Sequence, residues 1–229
     1  MLRSLKRFEG YKIGAKDGEL GEIIDFYFDE MEWIVRYIVA DTRRWLPGRK
    51  VLIGANKIDA PDPDNKLIFV DMTKKKIKNS PKVGFKETVS KEKERELMEY
   101  FKWPVYWHRV TPPREIDLDE GTDTHLRSLN EVIGYDIHAK GEKVGKLKDI
   151  IIEEPSWRIA YLVIKTEIGA GEEKHEVLIT PFWHDSIDWE AREIDLNVTK
   201  EYIQRSPEYF PDEDINPKIE KKLFEYYKE

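Results

Sequence analysis

The chain contains no cysteine, which excludes disulfide frameworks, thiolate zinc sites, iron–sulfur clusters and cysteine nucleophiles. Long apolar runs are also missing. Nothing approaches the roughly 18–20 consecutive apolar residues of a membrane-spanning helix, and short runs such as Phe26-Tyr27-Phe28 and Ile150-Ile151-Ile152 are bounded by carboxylates. The N-terminus, Met1-Leu2-Arg3-Ser4-Leu5-Lys6-Arg7, is basic but leads into no apolar core, so no secretory signal is expected and a cytoplasmic protein is. Walker, dinucleotide-type glycine-rich, His-Glu-x-x-His and Gly-x-Ser-x-Gly patterns are absent, and with them the chemistries they carry. The five histidines (His108, His125, His138, His175, His184) have no metal-ligand spacing. Trp183-His184-Asp185-Ser186 holds triad residue types, but triads assemble from separate segments. Asp117-Leu118-Asp119-Glu120-Gly121-Thr122-Asp123 has the acids of a calcium loop, yet its glycine comes one position early and Ser128 stands where the bidentate Glu belongs. The expectation is a protein without catalytic residues, cofactor or metal.

Charge and aromatic residues are plentiful. Of 229 residues, 37% are charged, and 39 Lys+Arg against 46 Asp+Glu leave a net charge of −7. That balance disfavours direct nucleic-acid binding, so Lys74-Lys75-Lys76-Ile77-Lys78 reads as a solvated helix face. Aromatic residues reach 12%, with seven Trp, which is more than a disordered chain carries.

The main signal is an internal repeat. Ser4-Leu5-Lys6-Arg7-Phe8-Glu9-Gly10-Tyr11 aligns with Ser128-Leu129-Asn130-Glu131-Val132-Ile133-Gly134-Tyr135 at an offset of 124. The offset holds through Gly21/Gly145, Asp25/Asp149, Glu30/Glu154, Trp33/Trp157, Tyr37/Tyr161 and Thr42/Thr166. Over residues 4–42, 14 of 39 positions are identical, enough to read two copies of one unit. Two extra residues near Gly169-Ala170-Gly171 shift the offset to 126, which pairs Val51-Leu52-Ile53 with Val177-Leu178-Ile179 and Ser80-Pro81 with Ser206-Pro207. Glu94-Arg95-Glu96-Leu97-Met98-Glu99-Tyr100-Phe101 then pairs with Glu220-Lys221-Lys222-Leu223-Phe224-Glu225-Tyr226-Tyr227.

Within each copy, segments 20–29 and 33–41, or 144–153 and 157–165, are rich in Ile, Val, Phe and Tyr, as strands prefer. Shorter apolar runs follow at 50–53 and 67–70, or 176–179 and 193–196. Thr73 and Thr199 are placed to cap short helices ending at Ser80-Pro81 and Ser206-Pro207. Ser90 and Asn216-Pro217 open a longer helix in each copy, and in the first Leu97, Tyr100 and Phe101 give it one apolar stripe. The expected fold is mainly β with short helices: two tandem small antiparallel β-barrels, each followed by an α-helix. The expected divisions are a first barrel over residues 1–83, helix and linker over 84–127, a second barrel over 128–208, and a C-terminal helix over 209–229.

Two stretches carry a family resemblance. They are Leu20-Gly21-Glu22-Ile23-Ile24-Asp25-Phe26-Tyr27-Phe28-Asp29 followed by Trp33-Ile34-Val35-Arg36-Tyr37, and Val144-Gly145-Lys146-Leu147-Lys148-Asp149 followed by Trp157-Arg158-Ile159-Ala160-Tyr161. Both resemble the PRC-barrel family, the small β-barrel of the photosynthetic reaction-centre H subunit and of the ribosome-maturation factor RimM. Glu99-Tyr100-Phe101-Lys102-Trp103-Pro104 is similar to the tail of stand-alone two-barrel members. The resemblance implies a non-enzymatic protein-binding scaffold, one that supports an electron-transfer complex. The alternative it implies is a maturation-type factor binding a ribosomal protein or ribonucleoprotein. The implied partners are other proteins, a second copy of this chain among them.

Gly21 and Gly145 interrupt strand patterns and signal a bulge or a close approach of strands. Asp25 and Asp149 stand among apolar neighbours; their presence in both copies points to acceptors that tie backbone down, with catalysis the lesser reading. The candidate protein-interaction residues are aromatic: Trp103, Tyr106 and Trp107 around Pro104, and Trp183 and Trp189 flanking a loop of the second copy. The competing reading gives the Trp-Pro segment a packing role.

Overall fold

A computed structural model describes residues 1–43, 46–47, 49–59, 61–84, 89–106, 126–166 and 175–227. Trp107, His108, His125, the acidic stretch 117–123, most of the spacer and the insertion at 169–171 lie outside the described residues.

The first copy supplies β1 (Leu2–Ser4), β2 (Lys12–Ala15), β3 (Gly18–Asp29), β4 (Ile34–Asp41), β5 (Val51–Gly54), β6 (Leu67–Phe69), α1 (Lys74–Lys78) and α2 (Lys91–Phe101). The second supplies β7 (Leu126–Ser128), α3 (Leu129–Val132), β8 (Asp136–Ala139), β9 (Glu142–Glu153), β10 (Arg158–Thr166), β11 (Glu176–Ile179), β12 (His184–Asp188), β13 (Glu193–Leu196), α4 (Lys200–Gln204), β14 (Glu208–Tyr209) and α5 (Pro217–Tyr227). The expected caps form. Thr73 Oγ1 accepts from the Lys76 amide at 3.2 Å, Thr199 Oγ1 from Tyr202 at 3.3 Å, and Ser90 Oγ from Lys93 at 3.2 Å. Asn216 Oδ1 accepts from the amides of Lys218 and Ile219 at 3.0 and 3.2 Å.

These elements group into two compact units drawn from discontinuous stretches. One comprises Met1–Glu9, Glu32–Val35 and Ser128–Glu229; the other comprises Gly10–Met31 and Arg36–Arg127. The N-terminal nine residues thus fold with the second copy, not with the first.

In the unit built on the second copy, β9 and β10 form the central antiparallel pair, running from Arg158↔Glu153 to Thr166↔Gly145 with register shifts between Ile159 and Tyr161 and between Val163 and Ile164. β11 continues beyond β10, and β14 beyond β11. On the other edge of β9, β8 pairs along Glu142–Lys146 and β1 along Ile151–Glu153, so two short strands share that edge. The stretch from Trp33 to Val35 adds to β10, with Val35 N–H donating to Trp157 O at 2.9 Å and Ile159 N–H to Trp33 O at 2.7 Å. β9 and β10 are apolar on both faces. Ile151 and Val163 meet Leu178, Tyr209, Ile215 and Leu223 of α5 in one core; Ile150, Ile152, Leu162 and Ile164 alternate to the opposite side and are also buried. In the other unit, β2, β3 and β6 form the ladder, β5 pairs with β4, and Phe26, Phe28, Ile38, Ile53 and Ile68 are buried.

Two expectations about the sheets need correction. β2 and β6 run parallel (Ile13↔Ile68), as do β8 and β13 (Ile137↔Ile194), so neither unit is purely antiparallel. Each parallel pair joins strands with several elements between them in the chain, which supplies the crossover a parallel pair needs. Among the described residues neither ladder closes into a barrel. The outer strands of the second-copy unit are the two-residue β14 and the polar His184–Asp188, which offer few ladder bonds and little apolar surface for closure.

The two glycines sit where strands nearly touch. A Cβ on Gly21 would overlap the Asp41 carbonyl oxygen, and one on Gly145 that of Lys165. Gly21 also has φ +144°, which side chains disfavour. Gly21→Ala is therefore expected to destabilise the protein by about 2 kcal/mol or more; an unchanged denaturation midpoint would contradict the close approach.

Candidate interaction sites

The first site lies where α2 meets β4. Glu94 falls on the helical stripe of Leu97, Met98 and Phe101 and is only 3% exposed. One of its oxygens, Oε1, accepts from Tyr37 Oη at 2.7 Å and from Tyr106 Oη at 2.9 Å. Arg36 stacks on the Tyr106 ring, its guanidinium carbon 3.6 Å from the centroid, and bonds Asp29 at 3.1 Å. Burial pushes the Glu94 carboxyl up to about 7, with the Asp29 charge adding to it and the two tyrosine hydroxyls and Arg36 opposing it. Burial, followed by the Glu94 charge, likewise raises the Tyr37 and Tyr106 phenols.

Trp103 stacks on Phe101 (centroids 4.5 Å, planes 15°) and lies 6.2 Å from the Tyr37 ring. The Trp-Pro tail after α2 therefore folds back over Tyr37 and Glu94, leaving Trp103 and Tyr106 half-buried. At the corresponding places in the second copy, Ala160 replaces Arg36 and Glu220, the counterpart of Glu94, is exposed. Tyr161, the counterpart of Tyr37, stacks instead on Tyr227, with centroids 6.2 Å apart. A buried acid at this helical position thus belongs to the first copy alone.

The second site is aromatic. Trp183 meets Tyr227 at 4.8 Å and Tyr202 at 5.2 Å, both edge-on, and Tyr202 meets Tyr226 at 4.7 Å. Tyr227 Oη donates to the Leu178 carbonyl, which ties the end of α5 to β11. Beside these half-buried rings stand exposed ones: Phe182, next to Trp183, is 77% exposed, and Phe224, one turn before Tyr227, is 59% exposed. The Trp189 ring lies 6.0 Å from that of Tyr135. Of the aromatic residues singled out in the sequence, Trp103 and Tyr106 thus meet at one site, while Trp183 belongs to another.

Asp149 is 8% exposed and accepts from the Ser4 hydroxyl, from the Ile150 amide at 2.7 Å and from the Lys6 amide at 3.2 Å. Burial raises its carboxyl and these bonds oppose the shift. Asp25, half-buried, accepts from its own neighbour Phe26 at 2.8 Å. A cavity of about 500 Å³ opens beside Gly21, lined by Glu19, Leu20, Glu22, Asp41, Arg43 and Lys74. It contains neither Asp25, Asp149 nor a histidine. Among the described residues no group of three His, Asp or Glu is placed to hold a metal.

Sequence reasoning missed Glu94. Its spacing of three, four and seven from Leu97, Met98 and Phe101 placed it on the buried stripe, and two tyrosines elsewhere supply its donors. A second missed signal was the tripeptide Leu2-Arg3-Ser4, which recurs unchanged as Leu126-Arg127-Ser128. Arg3 Nε bonds Glu154 at 3.0 Å, and Arg127 bonds Glu30 at 3.0 and 3.1 Å, the same pairing at the same offset.

With this geometry in place, comparison assigns a class to the second copy. Residues 125–202 match the family model described as PRC-barrel domain, so the chain carries a domain of that family. No curated protein matches the chain.

The raised Glu94 carboxyl makes stability pH-dependent. A carboxyl that titrates near 7 when folded and near 4.5 when unfolded favours the folded state below pH 4.5 and loses that contribution as pH rises to 7. Relative to Glu94→Gln, the wild-type chain is expected to lose of the order of 2–3 kcal/mol across that interval. Parallel stability–pH curves for the two proteins would contradict the burial of this group.

Proposed function

We propose that the protein is a non-enzymatic, protein-binding scaffold of the PRC-barrel type. The observation that carries this reading is the exposure of Phe182 and Phe224, which flank in the chain the Trp183 and Tyr227 rings that pack edge-on. Exposed aromatic side chains next to a semi-rigid aromatic base are the usual anchors of protein interfaces. The match of residues 125–202 to the PRC-barrel domain supports the same reading. So does the use of the buried carboxylates: Asp29, Glu94 and Asp149 are each bonded to side chains inside a unit. Among the described residues no helix is long and apolar enough to cross a membrane. In the finer form of this proposal, two barrel-type modules stand in tandem and the partner belongs to an electron-transfer assembly.

The test replaces Phe182 and Phe224 with Ser together. Both side chains are exposed, so the change in melting temperature is expected to be small, while binding of a captured partner should weaken at least about tenfold. Unchanged capture by the double variant would refute this surface as the binding face.

A further inference from the structure

The edge of β9 holds a strand in an unusual way. β10 covers one edge of β9 from Gly145 to Glu153; on the other edge β8 ends opposite Lys146, and β1 begins the remaining coverage at Ile151. Without β1 the second half of that edge would present unpaired N–H and C=O groups, a ready template for a strand. β1 fills it with main-chain and side-chain contacts. Leu2, Arg3 and Ser4 lie opposite Glu153, Ile152 and Ile151, and the Leu5 amide donates to Ile150 O at 2.9 Å. Arg3 bonds Glu154, Ser4 bonds Asp149, and Leu5 and Phe8 are fully buried. The edge therefore reads a sequence: a long cation, then a hydroxyl, then an apolar anchor.

The segment that satisfies this reading, Met1–Glu9, joins the next stretch of chain at Gly10, which has φ +75° and open space around it. Its Leu-Arg-Ser also recurs as Leu126-Arg127-Ser128, where Arg127 makes the equivalent bond to Glu30 and the strand pairs with β3. The Arg–Glu pairing of a Leu-Arg-Ser strand with the β-module thus occurs twice in one chain. A strand that is recognised locally and attached through a glycine is the element that exchanges between copies at low cost.

We propose that residues 149–154 form a strand-recognition site for Leu-Arg-Ser, and that a second copy of this chain can fill it with its own Leu2–Ser4, giving a reciprocal strand-exchanged dimer. The inference uses a different surface from the aromatic one and does not depend on the scaffold reading. In the unmodified protein the tethered strand has the advantage of high effective concentration, so the closed monomer dominates and exchange must be forced.

Two full-length variants force it. Arg3→Glu sets a carboxylate against Glu154, and Glu154→Arg sets a guanidinium against Arg3, so neither chain can close its own site. Refolded together, each chain's strand matches the other's groove. The expected result, by size-exclusion chromatography with light scattering, is a 1:1 dimer at least about tenfold more abundant than in either variant refolded alone. If one variant cannot fold by itself, its recovery in the mixture as that dimer carries the same weight. A single chain bearing both changes should return to a monomer with restored melting temperature. A mixture containing only monomers or precipitate would overturn the proposal. So would equal dimer in one variant alone, or a double variant as unstable as the single ones.

Discussion

The interaction on which the second-copy unit depends is the buried carboxylate of Asp149. A carboxylate removed from water needs several hydrogen bonds to remain tolerable. Here they come from Ile150 in the same strand and from Ser4 and Lys6, more than 140 residues away in the chain. The cost of burying the charge therefore becomes a demand that the N-terminal segment be present and in register. Once Ser4 is placed, Arg3 reaches Glu154, the Leu5 amide reaches Ile150, and Leu5 and Phe8 enter the core, with the Phe8 ring 6.0 Å from that of Trp157. Removing the Ser4 hydroxyl leaves an acceptor short of a donor in a buried place, which costs more than the bond itself is worth.

The first copy meets a similar demand differently. There Glu94 on α2 is buried, and its donors are Tyr37 from β4 and Tyr106 from the tail. One carboxylate thereby fixes the helix to the sheet and folds the Trp-Pro segment over both. Trp103 and Tyr106 have partners inside their unit, yet both remain half-exposed. The aromatic surplus of the second copy is arranged more openly, with Phe182 and Phe224 outermost.

Much of this was legible in the sequence because it is local. Thr73, Thr199, Ser90 and Asn216 announce helix starts through short-range capping, and Gly21 and Gly145 mark close backbone approach because any side chain would overlap a carbonyl. The parallel pairing of β2 with β6 was not legible, since apolar alternation gives strands without direction. Nor was the placement of residues 1–9: alignment at an offset of 124 says that Ser4 and Ser128 are equivalent, but not that Ser4 bonds Asp149 of the other copy. Glu94 was hidden for a related reason. A charged residue on an apolar stripe reads as exposed until its distant donors are known.

The measurement that bears most directly on the central claim is native-state hydrogen exchange at the Leu5 amide, which donates to Ile150 O. If the N-terminal segment is an integral strand held by Asp149, Leu5 should exchange as slowly as the amides of β9 and β10 and share their opening energy. Exchange at the rate of a frayed terminus, with β9 and β10 still protected, would contradict it.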